Sequence, residues 1–272
     1  MDLSVKCCGQ GMPVLCLHGH PGTGRCMSVF TEFLSSHFQT IAPDLRGYGR
    51  SQVTASFGME QHLEDLSTLL NSLDQPCLLL GWSLGGILAM ELALRYPQRI
   101  AGLMLVSTAA RPVGCHPAIS WQDNLLTGIA GVINWLVPGW SWNISTFGQR
   151  SLFRYLISQH SAPTYRRIAQ EGTPAFLQTS KFANQALSRA LKKGYNRLGD
   201  LHQIQQPCLM LAAANDVHIT PTSSQETAAA LPNCEWHLYK GVAHLMPWEI
   251  GPKLCDDLGV WLRSHQFLPP EP

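Results

Sequence analysis

Ser83 stands in the run Gly81-Trp82-Ser83-Leu84-Gly85, directly after the apolar stretch Cys77 to Leu80 and before a stretch of helix formers from Leu84. A serine between glycines on a tight strand-to-helix turn is held in strained backbone with its hydroxyl exposed. That hydroxyl becomes a nucleophile only when a base takes its proton and a carboxylate orients the base. Asp216, in the loop 213–220 after the apolar run Cys208 to Ala212, and His244, in Gly241-Val242-Ala243-His244 after Glu235 to Tyr239, supply those two types in the order serine, acid, histidine. Both loops leave the carboxyl ends of expected strands, the edge where open α/β sheets carry their sites. Each residue also has a plainer reading. Ser83 could cap a helix, Asp216 could shape a turn with Asn215, and His244 could be a satisfied loop histidine, but the three together point to acyl transfer.

Acyl transfer needs donors for a developing oxyanion. The backbone N–H of Leu84 is one expected donor, and that of His20, in Leu17-His18-Gly19-His20-Pro21-Gly22, is the other. Gly19 and Trp82, flanking these donors, are the expected substrate contacts, with the His20 imidazole at the pocket entrance. Gly22-Thr23-Gly24 has neither a phosphate-loop lysine nor dinucleotide-binding spacing.

The elements that must position these residues alternate. Strands are expected at Val14 to Leu17, Thr40 to Ala42, Cys77 to Leu80, Ala101 to Ser107, Cys208 to Ala212 and Glu235 to Tyr239. Helical spacing marks Met59 to Leu73, Leu84 to Tyr96, Thr222 to Leu231 and Pro252 to His265. The pattern is that of an α/β fold with a mostly parallel sheet flanked by helices. It breaks between about Arg111 and Asp200, a stretch rich first in Trp, Gly, Pro and Ser and then in helical pieces such as Ser151 to Gln159. The expected organisation is therefore a core from 1–110 and 201–272 with a helical cap inserted at 111–200. The last residues, Pro269 to Pro272, read as a frayed tail.

A net charge of +1 conceals an uneven distribution. The inserted segment holds 10 Lys or Arg against 3 Asp or Glu, whereas the rest holds 9 against 15, so a cap near +7 sits on a core near −6. The nine cysteines are scattered, several inside apolar runs, and read as reduced thiols rather than disulfides or metal ligands. The histidines form no metal-binding pattern, and no metal or organic cofactor is expected. Met1 to Lys6 lacks the signature of a secretory leader, and the apolar stretch from about Gly128 to Trp140 is too short to span a bilayer. The expectation is a cytoplasmic protein with neither a membrane span nor a nucleic-acid partner. The cap residues Trp121, Trp135, Trp140, Trp142 and Phe147 suggest an apolar acyl pocket, or else glue between cap and core.

These motifs resemble the α/β-hydrolase superfamily over nearly the whole chain. His18-Gly19-His20-Pro21 is similar to the family's oxyanion loop, Pro43-Asp44-Leu45-Arg46-Gly47-Tyr48-Gly49-Arg50-Ser51 to its D-x-R-G-x-G-x-S turn, and Gly81 to Gly86 to its nucleophile elbow. The resemblance implies the α/β-hydrolase fold, with Ser83, Asp216 and His244 as a triad that cleaves a carboxylic ester through an acyl-enzyme. Ser83 argues against the epoxide hydrolases and haloalkane dehalogenases that share the first two motifs, because those use Asp as nucleophile. Gly-Trp-Ser-Leu-Gly-Gly at 81–86, with Leu34-Ser35-Ser36-His37-Phe38 upstream, resembles pimeloyl-acyl-carrier-protein methyl ester esterases of biotin synthesis. That likeness implies an acidic acyl carrier protein as partner, with Arg150 and Arg154, one helical turn apart, and Arg166 and Arg167 as candidate docking residues. The sequence departs from those esterases in its HGHPG loop, in Arg46 and in Glu171 among the candidate arginines. A cofactor-free lyase, C–C hydrolase or perhydrolase with the same triad is one alternative, and a ligand-binding receptor on this fold is another. A small acyl ester, an acyl thioester and an acyl-homoserine substrate all stay open, as does the oligomeric state.

Overall fold

A computed structural model describes residues 1–269, so the expected tail lies outside the described residues from Pro270 onward. Seven strands form one sheet in the order β1-β3-β2-β4-β5-β6-β7: β1 (Val5–Cys8), β2 (Pro13–Leu17), β3 (Gln39–Pro43), β4 (Cys77–Trp82), β5 (Ile100–Val106), β6 (Cys208–Ala213) and β7 (Cys234–Tyr239). Only β1 runs antiparallel to its neighbour; every other pairing is parallel. The central strands β2, β4 and β6 are buried along their whole length, which is why they read as unbroken apolar runs rather than as alternating ones. The edge strand β1 is mostly exposed and short, and no strand was expected there. Its backbone is held by pairing with β3, from Val5 opposite Pro43 to Cys8 opposite Thr40, which local sequence does not encode.

Successive strand residues feed opposite faces. Val14, Cys16, Leu78 and Leu80 join Phe30 and Leu34 of α1 (Ser28–Leu34) and Leu254, Leu258 and Trp261 of α12 (Gly251–Ser264). Leu15, Leu17 and Leu79 join Leu63, Leu66 and Leu70 of α2 (Met59–Asn71), Leu88 and Leu92 of α3 (Leu84–Arg95), and Ala228 of α10 (Pro221–Ala230). Because β2 pairs with β3 on one side and β4 on the other, the strand order reverses around β2 and β4, and their carboxyl ends open the crevice where such sheets bind ligands.

Between β5 and β6 the chain forms α4 (Trp121–Leu136), α5 (Ser141–Thr146), α6 (Phe153–Leu156), α7 (Ala162–Arg167), α8 (Thr173–Leu177) and α9 (Lys181–Lys192), with no strand among the described residues of this stretch. Ser120 caps α4 by accepting the N–H of Asp123, whose carboxylate accepts the Ser120 N–H in return. The helix expected over Ser151 to Gln159 shrinks to the four residues of α6, because Ser151 and Ile157 both turn to extended backbone and Ile157 is drawn fully into the core. Trp121, Trp135, Trp140 and Trp142 neither line a pocket nor glue helices to the sheet: all four are exposed, and Phe147 is half-buried against Trp142. For Trp121 and Trp135 the physical reason is the orientation of α4, which turns Asp123, Ala130 and Asn134 inward. There Asn134 is satisfied by the carbonyl of Tyr165 and the N–H of Gly139.

Candidate active site

Ser83 lies between β4 and α3 with φ 53° and ψ −114°, a backbone region costing about 1–3 kcal/mol for a residue with a Cβ. The surrounding packing holds it there: its N–H donates to the Val106 carbonyl at 2.9 Å, and its carbonyl accepts from Thr108 Oγ1 at 2.7 Å. The flanking glycines are required by space. A Cβ on Gly85 would lie 2.0 Å from the Leu17 carbonyl oxygen, and one on Gly81 would lie 2.4 Å from that of Gly85.

The tertiary fold brings the three candidate residues together. His244 Nε2 is 3.1 Å from Ser83 Oγ, and His244 Nδ1 is 2.7 Å from Asp216 Oδ2. The other oxygen, Asp216 Oδ1, accepts the N–H groups of His218 at 2.8 Å and Ile219 at 3.0 Å, so the carboxylate is fixed at both ends. Asp216 and His244 are buried while Ser83 is partly exposed. This arrangement can move a proton from Ser83 to His244 and stabilise the resulting imidazolium.

Gly19 lies against Ser83. A Cβ there would sit 3.2 Å from Ser83 Cβ, so the His18 to His20 loop passes directly over Ser83. His18 anchors that loop, its ring bonded to the Gly19 carbonyl at 2.7 Å and accepting the Leu45 N–H at 3.0 Å. Leu84, first residue of α3, has an N–H with no acceptor within the helix, at its positive end beside Ser83. The His20 imidazole bonds Tyr48 Oη at 2.8 Å and has Asn184 of α9 as a further neighbour; burial pushes it down to about 4, so it is neutral at pH 7. Trp82, expected as a substrate contact, is 4 % exposed and donates from Nε1 to the His244 carbonyl at 3.3 Å. On this geometry it supports the His244 loop.

Sequence reasoning passed over three residues around the site. His218 lies with its ring centroid 5.3 Å from that of His244, and burial lowers it to about 4. Glu249 accepts the N–H groups of Ala243, Ser158 and Gln159 at 2.6–2.8 Å, binding the His244 loop to the stretch after α6. Tyr48 holds His20. Only Tyr48 had a signal, lying within the D-x-R-G-x-G-x-S turn; the others act through pairings that no local pattern announces.

The four candidate docking arginines fare differently. Arg150 and Arg166 are exposed. Arg154 pairs with Asp123 at 2.6 Å and lies 4.3 Å over the Tyr155 ring. Arg167 pairs with Glu171 at 2.6 Å and donates to Ser28 Oγ at 2.9 Å. Arg150 and Arg154 do not share a helix, since a 3₁₀ turn ends at Arg150 before α6 begins.

Residues 12–249 match the family model described as the alpha/beta hydrolase fold. A pimeloyl-[acyl-carrier protein] methyl ester esterase of Hamiltonella defensa is 37% identical over 118 residues, 42% of this chain and 44% of that protein, so this match spans under half of the relative's length. The Vibrio parahaemolyticus protein of the same name is 26% identical over 246 residues, 87% of this chain and 88% of its own. Among solved structures, a thermophilic esterase from Thermogutta terrifontis superposes with a TM-score of 0.70 at 24% identity, covering 97% of this chain and 93% of that one. An enol-lactonase from Burkholderia xenovorans gives 0.73 at 18%, covering 96% of each. These two share the fold with this chain. With the sheet order, the elbow and the family match in agreement, the chain belongs to the alpha/beta hydrolase fold family.

Proposed function

We propose that this protein is a serine hydrolase that cleaves a carboxylic ester through an acyl-enzyme. The observation that carries this reading is the continuous hydrogen-bonded line from Ser83 Oγ through His244 to Asp216, at 3.1 and 2.7 Å. Ser83 Oγ attacks the ester carbonyl as His244 Nε2 takes its proton. The oxyanion is held by the N–H groups of Leu84 and His20, and His244 returns the proton to the leaving alcohol. Water activated by the same histidine then releases the acid. The helical segment 111–200 acts as a cap over this site, tied to the His244 loop through Glu249 and through the Leu245 N–H to the Leu156 carbonyl at 2.9 Å. The names of the relatives favour a pimeloyl-carrier methyl ester as substrate. Arg150 and Arg166, exposed on the cap, are the cations an acidic carrier would meet.

The test is a fluorophosphonate probe with wild type and Ser83→Ala. Wild type is expected to be labelled and to turn over a short p-nitrophenyl ester; the variant should lose labelling and at least about 10⁴-fold of the rate with its fold intact. Labelling that persists in Ser83→Ala would assign the nucleophile elsewhere. Pimeloyl-carrier methyl ester, assayed beside the short ester, decides the finer substrate.

A further inference from the structure

Helix α4 is amphipathic the wrong way round for a helix covered only by water. Its buried positions are Asp123, Ala130 and Asn134. Its outer stripe, at steps of three or four, is Trp121, Leu125, Gly128, Val132 and Trp135, with Leu136 beside it; Trp121 is 72% exposed, Val132 and Trp135 60% and Leu136 66%. Leu125, Gly128, Ile129, Val132, Ile133 and Asn124 line an open groove of about 530 Å³ along this face. Gly128 leaves its floor bare, since an added Cβ there would meet nothing within 4 Å. Exposed Trp140 and Trp142 extend the apolar surface beyond the helix end.

The exposed charge in this stretch of chain, residues 112–170, is of one sign. Asp123 is the only carboxylate between residues 112 and 170, and it is buried against Arg154. Arg150, in the turn packed on α4, and Arg166, whose Cγ lies 3.1 Å from the Cβ position of Gly139 just past α4, are exposed cations on the segments that adjoin the helix. Apolar residues with several Trp, arginines on the neighbouring turns and no exposed carboxylate between residues 112 and 170 resemble an interfacial lipid-binding surface. A second copy of the chain fits poorly, because two-fold pairing of this face would set its arginines against each other.

We propose that the α4 face, with Trp140 and Trp142, docks this protein on an anionic phospholipid surface, α4 lying in the plane of the interface. No helix among the described residues is long and apolar enough to cross a membrane, and docking requires none. The face lies apart from the triad, so this proposal does not depend on the ester-hydrolase reading.

Full-length protein is mixed with vesicles of phosphatidylcholine alone or with phosphatidylserine added to make the surface anionic, and co-sedimentation and tryptophan emission are followed. Binding to the anionic vesicles, weaker at high salt, with a blue-shifted emission, is expected for wild type and equally for Ser83→Ala. Val132→Asp with Trp135→Asp should cut the partition coefficient by at least roughly ten-fold. Arg150→Gln with Arg166→Gln should lower it roughly thirty-fold, from about five-fold per cation near an anionic surface. Wild-type far-UV circular dichroism and a cooperative thermal transition of the α4 variants show that they are folded; for a variant that fails this control, doxyl-lipid quenching of the wild-type tryptophans serves in its place and is expected to be strong. Absence of vesicle binding, binding untouched by the substitutions in folded variants, or absence of quenching would overturn the proposal. So would self-association, or capture of an acidic carrier protein, through the same residues without vesicle binding.

Discussion

Asp216 divides its two oxygens between two tasks, and the division predicts the effect of changing one atom. Oδ1 serves the N–H groups of His218 and Ile219, leaving only Oδ2 for His244. In Asp216→Asn the amide oxygen stays with the two backbone donors, so the amide nitrogen faces His244 Nδ1. Two donors cannot pair. The imidazole then keeps its proton on Nε2 and cannot accept one from Ser83, and kcat should fall roughly 10⁴-fold with KM nearly unchanged, as steady-state kinetics on the short ester would register. An unaltered kcat would place the orienting carboxylate elsewhere. These three residues were legible because each follows an apolar run that ends in a loop. His218 and Glu249 were not, since their importance lies in contacts across the fold.

The elbow's glycines differ in kind from those of α4. Gly85 faces the backbone of β2, and the Leu17 carbonyl that a Cβ would strike at 2.0 Å cannot swing aside as a flexible side chain does. Gly85→Ala should therefore destabilise the fold by about 3 kcal/mol and lower the melting temperature by about 10 °C. Gly128→Ala, with open space at the new methyl, should leave stability unchanged or raise it by up to about 1 kcal/mol. Thermal unfolding of both variants measures the contrast, and equal losses would mean that the elbow is not close-packed. At this scale the central strands and the four long core helices could be read from periodicity and breakers. Two elements could not: β1 exists by pairing with β3, and the helix expected over Ser151 to Gln159 is cut short where Ile157 is pulled inward.

At the scale of the molecule, burial lowers several histidines, among them His18, His20, His62, His160 and His218. Burial lowers His18, His20 and His218 to about 4 and His62 to about 3. In the unfolded chain each returns to about 6.5, so around pH 5 unfolding takes up nearly one proton per histidine. With folded values depressed, their contribution to stability is complete above about pH 6.5 and is lost as pH falls toward 4 and 3. Denaturant titrations from pH 7.5 to 4.5 should show stability falling below pH 6.5. His62→Gln should flatten that fall by about 1.4 kcal/mol per pH unit near pH 5, one proton's worth. An unchanged slope would mean that His62 is protonated in the folded protein.

What the sequence determined by itself was whatever is written locally: apolar runs long enough to be buried strands, glycines where a turn leaves no room for Cβ, and a serine, an acid and a histidine in loops after strands. Distances of 2.7 and 3.1 Å between residues 28 and 161 positions apart are not local, and only the closing of the sheet around β2 and β4 produces them. The direction of α4 was likewise a tertiary decision. Its periodicity separates an apolar stripe from a face bearing Asp123, Thr127 and Asn134, and taken alone would turn the apolar stripe inward. The choice follows from Asn134 and Asp123, whose polar groups find partners inside at Tyr165, Gly139, Ser120 and Arg154, and this turns the tryptophans outward.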